Sequence, residues 1–362
     1  MATVNDELQD SAIDNAVDIQ QFGTGAVLAV LAILNRYDAE ITAALMVALE
    51  QVPPEQFTVE RFEQVLGEVR RINAEAYAAA EAKIQRELEG MAEHQADWEY
   101  AALVAILPLL VQRRYPVQRV APVPALSQAL GEPIQGRTLT NWLTDARDAR
   151  ITSIVNAVRT GTMDGLSVAE IIQKVRGTKA AKYADGVLQT ARKNIETIIK
   201  TGITAIVESI KDAFWQNNSE LVEAVQWVSV LDSRTSHYCQ VRAGKLYTPV
   251  THKPIGHKIP WLQGPGKLHF RCRSTSTRVV KSWRQLGITG LSEQDRALMD
   301  GATPQETTYG KWLSRQSAAR QDQILGKERA LLYRNGDLSF SQMFNQYGQW
   351  LTLEQLRQRN RI

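Results

Sequence analysis

Cysteine is scarce in this chain, two among 362 residues, which excludes a disulfide-stapled secreted scaffold and fits assembly in a reducing cytoplasm. Long apolar runs are missing too. The two richest, 25–34 and 101–110, are about ten residues each against the roughly 20 needed to span a bilayer, and Pro108 interrupts the second. Both read as buried helix segments, so no membrane partner is expected. A basic segment followed by an apolar core is absent from residues 1–21, so no secretory signal is expected. Enzyme signatures are absent as well: there is no GxSxG, HExxH or P-loop, and no GxGxxG leads from a strand into a helix. The chain is therefore expected not to be an enzyme, with no catalytic residue assigned.

What is present is concentrated. Residues 231–284 hold eleven Lys or Arg and a single acid, Asp232, together with both cysteines and four of the five histidines. Residues 1–100 show the opposite balance, nineteen Asp or Glu against six Lys or Arg, although the whole chain is only +3. Such polarity implies either two partners of different charge, one of them a nucleic acid, or mutual neutralisation within the fold.

A chain of this length exceeds the size at which one core keeps growing. Hydrophobic periodicity predicts a mainly α protein with a small α+β domain, in five segments. An acidic helical region covers 1–114, with apolar positions Phe22, Val27, Val30, Leu31 and Leu34 and a second helical stretch at about 59–90. A Pro-marked connector covers 115–137. A helical region covers 138–224, opened by Thr138 or Thr140 as a cap, with a capping box at Ser167 to Glu170. It ends in a long helix over about 180–217, whose Ile195, Ile198, Ile199, Ile203, Ile206 and Ile210 form one stripe. A basic α+β core covers 225–284, with strands at 227–231, 245–248 and 274–280 forming a small antiparallel sheet, and a turn-rich loop over 249–267. A helical tail covers 285–362, with helices opened at Ser292 and Thr352, others at 309–315 and 318–333, and a stop at Asn335-Gly336.

In the basic core, His237, Cys239, His269 and Cys272 are the ligand types that a tetrahedral Zn²⁺ prefers, arranged as two pairs separated by a loop. They form a candidate structural metal site; the alternative is two buried thiols in contact, or a bridge. Asp232, at a strand end, is expected to accept bonds from the amides that follow, with Arg234 pairing with it or with a carbonyl. Arg271, Arg273, Arg278, Lys281 and Arg284 form a candidate single-sign face for DNA phosphates, with Arg271 and Arg273 alternating on a strand, or else a solvated edge. Phe270 and Trp283 are the few aromatics nearby, so base readout is not expected. Ser274-Thr-Ser276 resembles the strand motif of ADP-ribosyltransferases, but no acidic ExE turn follows.

Trp227-Val-Ser-Val-Leu-Asp-Ser-Arg-Thr-Ser-His-Tyr-Cys239, then Gly244-Lys-Leu-Tyr247, then His269-Phe-Arg-Cys-Arg273 together resemble the core domain of Mu F-like minor head proteins, the head morphogenesis family of tailed bacteriophages. Within that motif stand Asp232, Arg234, Thr235 and Gly244. The likeness continues upstream through the helices ending at Asn217 and downstream through Trp312-Leu-Ser-Arg-Gln316, Leu325-Gly-Lys327 and Leu351-Thr-Leu-Glu-Gln-Leu356. The family pattern often has Cys-x-x-Cys and then Pro-x-His-x-x-Cys-Arg-Cys; here Ser236, Lys267 and Ser274 stand where the first Cys, the Pro and the last Cys would be. What remains could coordinate zinc through His237, or the sheet could hold by packing alone. The resemblance implies a minor capsid protein of the virion, assembled in the host cytoplasm and associated with the portal vertex. It implies the portal protein, other head components and packaged double-stranded DNA as partners. The alternatives are an ADP-ribosyltransferase-like enzyme and a membrane-active ejection protein.

Overall fold

A computed structural model describes residues 3–51, 59–300 and 309–360. It is 64% helical, with thirteen helices and a four-stranded antiparallel sheet among the described residues, so the mainly α class with a small α+β domain holds. The chain divides into two compact units, neither contiguous in sequence: one comprises Met1–Ile19, Ala92–Ala125 and Thr204–Ile362, the other Gln20–Met91 and Leu126–Ile203. The sequence reading instead set its boundaries at 114, 137, 224 and 284. The difference has a simple cause: helices α1 (Val4–Glu50), α2 (Val59–Ile106) and α7 (Val187–Asn217) are so long that each contributes to both units.

Helix α1 also revises the apolar count. No charged residue lies between Asp18 and Arg36, because uncharged Gln, Thr and Gly residues extend the ten-residue apolar run. Among the described residues α1 alone is long and apolar enough to cross a membrane by length and composition, with a window of mean hydropathy 1.6 that is 33% buried.

In the second unit, α5 (Leu139–Met163) and α6 (Val168–Arg176) pack with parts of α1, α2 and α7 around Ile41, Leu45, Leu66, Val69, Ile154, Val158, Ile171 and Leu188. Thr138 caps α5, and Ser167 with Glu170 forms the anticipated capping box of α6. A Cβ on Gly161 would lie 2.7 Å from Ile171, so glycine allows the two helices their close approach. Within this core Arg150 pairs with Asp38 and donates to Asn73 at 2.8 Å. Helix α7 starts at Val187 rather than near 180, because the Asp185 carboxylate holds the Thr178 amide and hydroxyl, both at 2.8 Å, in a loop. The expected connector contains a helix, α4 (Pro122–Gly131), whose Pro122 suits a first helical position where an amide would lack a partner anyway.

The first unit contains the sheet, ordered β3-β2-β1-β4, with β1 Val222–Val228, β2 Leu246–Tyr247, β3 Pro254–Ile255 and β4 Thr275–Val280. Strand β1 begins before the expected 227 and stops at Val228, so residues 229–231 are loop. The short strand β3 lies inside the stretch read as turns. Val225 and Trp227, two residues apart on β1, enter one core with Tyr247, Trp261, Cys239 and Cys272. Val222 and Val280 enter another with Phe214, Trp215, Leu286 and Ile288. The outer edge of β4 is closed by a side chain: Asn5 Oδ1 accepts from the Val280 amide at 2.7 Å and its Nδ2 donates to the Val280 carbonyl at 3.3 Å. The pair imitates a neighbouring strand and leaves that end of the edge satisfied.

Polar groups tie α7 to β4. Lys211 Nζ donates to Thr275 Oγ1 and to the Ser276 carbonyl, each at 2.7 Å, and the Thr275 and Ser276 hydroxyls donate to Glu208 at 2.5 and 2.7 Å. The Ser274-Thr-Ser276 segment thus engages the core through two of its hydroxyls. Glu99 of α2 accepts from Trp215 Nε1 at 2.9 Å, and burial pushes its carboxyl upward.

The tail holds α9 (Glu293–Met299), α10 (Tyr309–Ser314), α11 (Ala318–Leu325), α12 (Lys327–Asn335) and α13 (Leu353–Asn360), with caps at Ser292 and Thr352 as read. The single helix expected over 318–333 is two, broken at Gly326, whose φ of +79° leaves the helical region.

Candidate metal centre

Beyond Val228 the chain forms a bracket held by its own side chains. Asp232 Oδ1 accepts from the Arg234 amide at 2.9 Å and the Thr235 hydroxyl at 3.1 Å, the capping role expected of it. Its stronger partner is distant in sequence: Arg273 reaches both carboxylate oxygens, at 2.8 and 2.7 Å, and holds the carboxyl far below the usual carboxylate range. Arg234 itself is mostly exposed, with its Nε 3.5 Å from Asp232. Tyr309 Oη donates to the Asp232 carbonyl at 2.7 Å, anchoring the bracket to the tail. Gly244, at φ +76°, turns the chain into β2 while its amide donates to the Trp227 carbonyl at 2.9 Å; a side chain would strain this conformation.

On this bracket sits the four-residue helix α8 (His237–Gln240), with Ser236 as its cap. It brings Cys239 to His269 and Cys272, which the turn before β4 supplies. Cys239 Sγ lies 3.7 Å from Cys272 Sγ and 3.3 Å from His269 Nε2, and the three donor atoms all lie within 4.8 Å of one another. Both cysteines are free and buried. The Cys239 thiol is lowered to about 7, chiefly by the hydrogen bond from Cys272 and helped by Ser236, Ser274 and the buried Arg242 guanidinium. Cys272, donating to that sulfur and buried, is pushed well up. The bond with Cys272 raises His269.

The separations of Cys239 Sγ from Cys272 Sγ and from His269 Nε2 are close to those around a tetrahedral ion. Zn–S bonds of about 2.3 Å and Zn–N bonds of about 2.0 Å separate two sulfurs by roughly 3.8 Å and a sulfur and a nitrogen by roughly 3.5 Å. The ring of His269 is also set for ligation. Its Nδ1 lies 2.9 Å from the Phe270 carbonyl, which can only accept, so Nδ1 carries the proton and Nε2 keeps the lone pair facing the thiols. Two thiolates and this imidazole would hold Zn²⁺, which would supply a cross-link between α8 and the turn before β4. Arg271, inside that turn, has a φ of +58°, a left-handed conformation that the tight approach of His269 and Cys272 imposes.

His237 does not join them. Its ring stacks on Trp350 with centroids 4.1 Å apart, and burial lowers its basicity. The polar group beside His269 is Ser236, whose Oγ lies 2.7 Å from Nε2. The spacing Ser236-x-x-Cys239 was visible in the sequence, but the choice of His237 rested on residue type alone.

The candidate phosphate face is not assembled. Arg271 and Arg273 precede β4 instead of alternating along it, and Arg273 is bound to Asp232. Arg278 is 1% exposed and pairs with Asp212. Lys281 Nζ donates to the Glu220 carbonyl at 2.8 Å, and Arg284 lies 3.2 Å from Asp300. The neutralising acids come from α7, from the bracket and from the end of α9, so the composition of 231–284 alone could not reveal them.

Comparison with protein-family models, with curated proteins and with solved structures gives no match.

Proposed function

We propose that this chain is a minor head protein of a tailed bacteriophage, associated with the portal vertex and serving head assembly, genome packaging or DNA delivery. One observation carries the reading. The residues of the Mu F-like motif, separated by up to 46 positions in sequence, converge as one bracket: Asp232 with Arg273, Thr235 with Asp232, Gly244 with Trp227, and Cys239 with His269 and Cys272. Each has a task in positioning chain, which suits an assembly component. The portal protein and other head components are its proposed partners, and the virion its proposed location. Packaged DNA, if met, is not met through Arg273 or Arg278, whose charges are already engaged. Co-expression with the portal protein of the same genome and affinity purification test the reading: a stable complex supports it, and full separation of the two proteins at physiological salt counts against it.

A membrane-active ejection role is favoured by the uncharged stretch of α1. Dye leakage from liposomes on addition of the purified chain would speak for it.

A further inference from the structure

We propose that Ser236 supplies the fourth corner of the metal centre, so that this chain holds its ion with two thiolates, one imidazole and a hydroxyl oxygen. The position of the hydroxyl is dictated by structure unrelated to any ion. Ser236 precedes α8 with extended backbone (ψ 152°), and its Oγ accepts from the Cys239 amide at 3.4 Å as the cap of that helix. This places the oxygen 2.7 Å from His269 Nε2 and 3.4 Å from the Cys239 amide, beside the three converging donors. No carboxylate lies in the cluster, and His237, the remaining nitrogen donor nearby in sequence, is occupied against Trp350.

Without metal, Nε2 accepts a hydrogen bond from the Ser236 hydroxyl, because Nδ1 carries the ring proton. On binding, the Cys239 and Cys272 thiols each release a proton and form a metal–sulfur bond. The lone pair of Nε2 turns to the metal, and Ser236 keeps its proton while its oxygen lone pair replaces a water of the ion. A neutral hydroxyl is a weaker donor than a thiolate. The centre should therefore exchange its ion more readily than a site with three thiolates.

Titration of the full-length reduced chain with Co²⁺, followed by visible and near-ultraviolet absorption, tests this, with Zn²⁺ affinity measured by competition against a chromophoric chelator. Wild type should take one equivalent of Co²⁺ with tetrahedral ligand-field bands and thiolate charge transfer. Ser236→Ala should weaken Zn²⁺ binding at least roughly tenfold. Ser236→Thr, which keeps the hydroxyl, should stay near wild type. Ser236→Cys should bind more tightly and increase the charge-transfer intensity by about half, as two thiolates become three. Circular dichroism checks that each variant folds. If Ser236→Ala loses the fold through its missing cap, the Thr and Cys variants still decide. The proposal is overturned if wild type takes no stoichiometric ion, if Ser236→Ala matches wild type in affinity and spectrum, or if Ser236→Cys adds no charge transfer. None of these outcomes bears on association with a portal.

Discussion

The Asp232–Arg273 pair fastens the bracket that carries the candidate centre, and its contribution can be worked out from the contacts. Asp232 accepts two bonds from Arg273, one from the Arg234 amide and one from the Thr235 hydroxyl. Its side chain and that of Arg273 remain 25% and 24% exposed, so solvent screens part of their attraction. A coupling of about 1–2 kcal/mol is expected, above an exposed ion pair and below the 3–5 kcal/mol lost on breaking a buried one. Arg273→Ala should cost about that much. Asp232→Ala should cost about 1–3 kcal/mol more, because it also removes the two local bonds at roughly 0.5–1.5 kcal/mol each. The pH dependence has a definite sign. Arg273 depresses the folded-state pKa of Asp232, so the pair's contribution is complete above the unfolded value of about 3.9 and is lost as pH falls below it toward the folded value. The stability gap between wild type and Arg273→Ala should therefore narrow between about pH 4 and pH 2. Urea denaturation of both single variants and the double variant, with hydrogen exchange on the β1 amides, measures the coupling. Additive effects of the two substitutions, or a gap that stays constant to low pH, would refute the reasoning.

Lys211→Met should cost about 3–5 kcal/mol by leaving the buried Glu208 without its cationic partner, and adding Glu208→Leu should recover part of the loss; thermal unfolding of both variants checks this. In the other unit, Arg150→Ala should cost less, about 1.5–3 kcal/mol, since Asp38 loses one charged partner but keeps Arg192, and hydrogen exchange on α5 should register it. Gly244→Ala should cost about 1–2 kcal/mol from the left-handed backbone alone, measured as a lowered denaturation midpoint. Binding of the chain to random duplex DNA should show a salt slope no steeper than about −3, because Arg273 and Arg278 of the five candidate contacts are held by Asp232 and Asp212; a steeper slope points to a basic face elsewhere.

Local signals were the legible part of the fold. Ser167 with Glu170, Thr138, Ser292 and Thr352 announced helix starts because a cap needs only residues three apart, and the isoleucine stripe of α7 announced a buried face. The extents of the long helices were less legible, since a polar acidic leader such as residues 4–18 carries little apolar periodicity yet continues α1. Strand β1 was misplaced by several residues because Ser229, Val230 and Leu231 have strand-like composition, while the bracket around Asp232 demands that the ladder end at Val228. At the site, Cys239, His269 and Cys272 could be named from their chemistry, but the choice between Ser236 and His237 depended on which side of a one-turn helix faces the cluster. The fate of Arg273 and Arg278 depended on Asp232 and Asp212, the latter 66 residues away from Arg278. A count of charges along the chain registers neither pairing.

The most direct test of the head-protein reading is mass spectrometry of gradient-purified mature particles produced from the genome that encodes this chain. The account predicts its peptides in the particle at low copy number relative to the major capsid protein, retained after a high-salt wash. Their absence from mature particles and from assembly intermediates alike would contradict it.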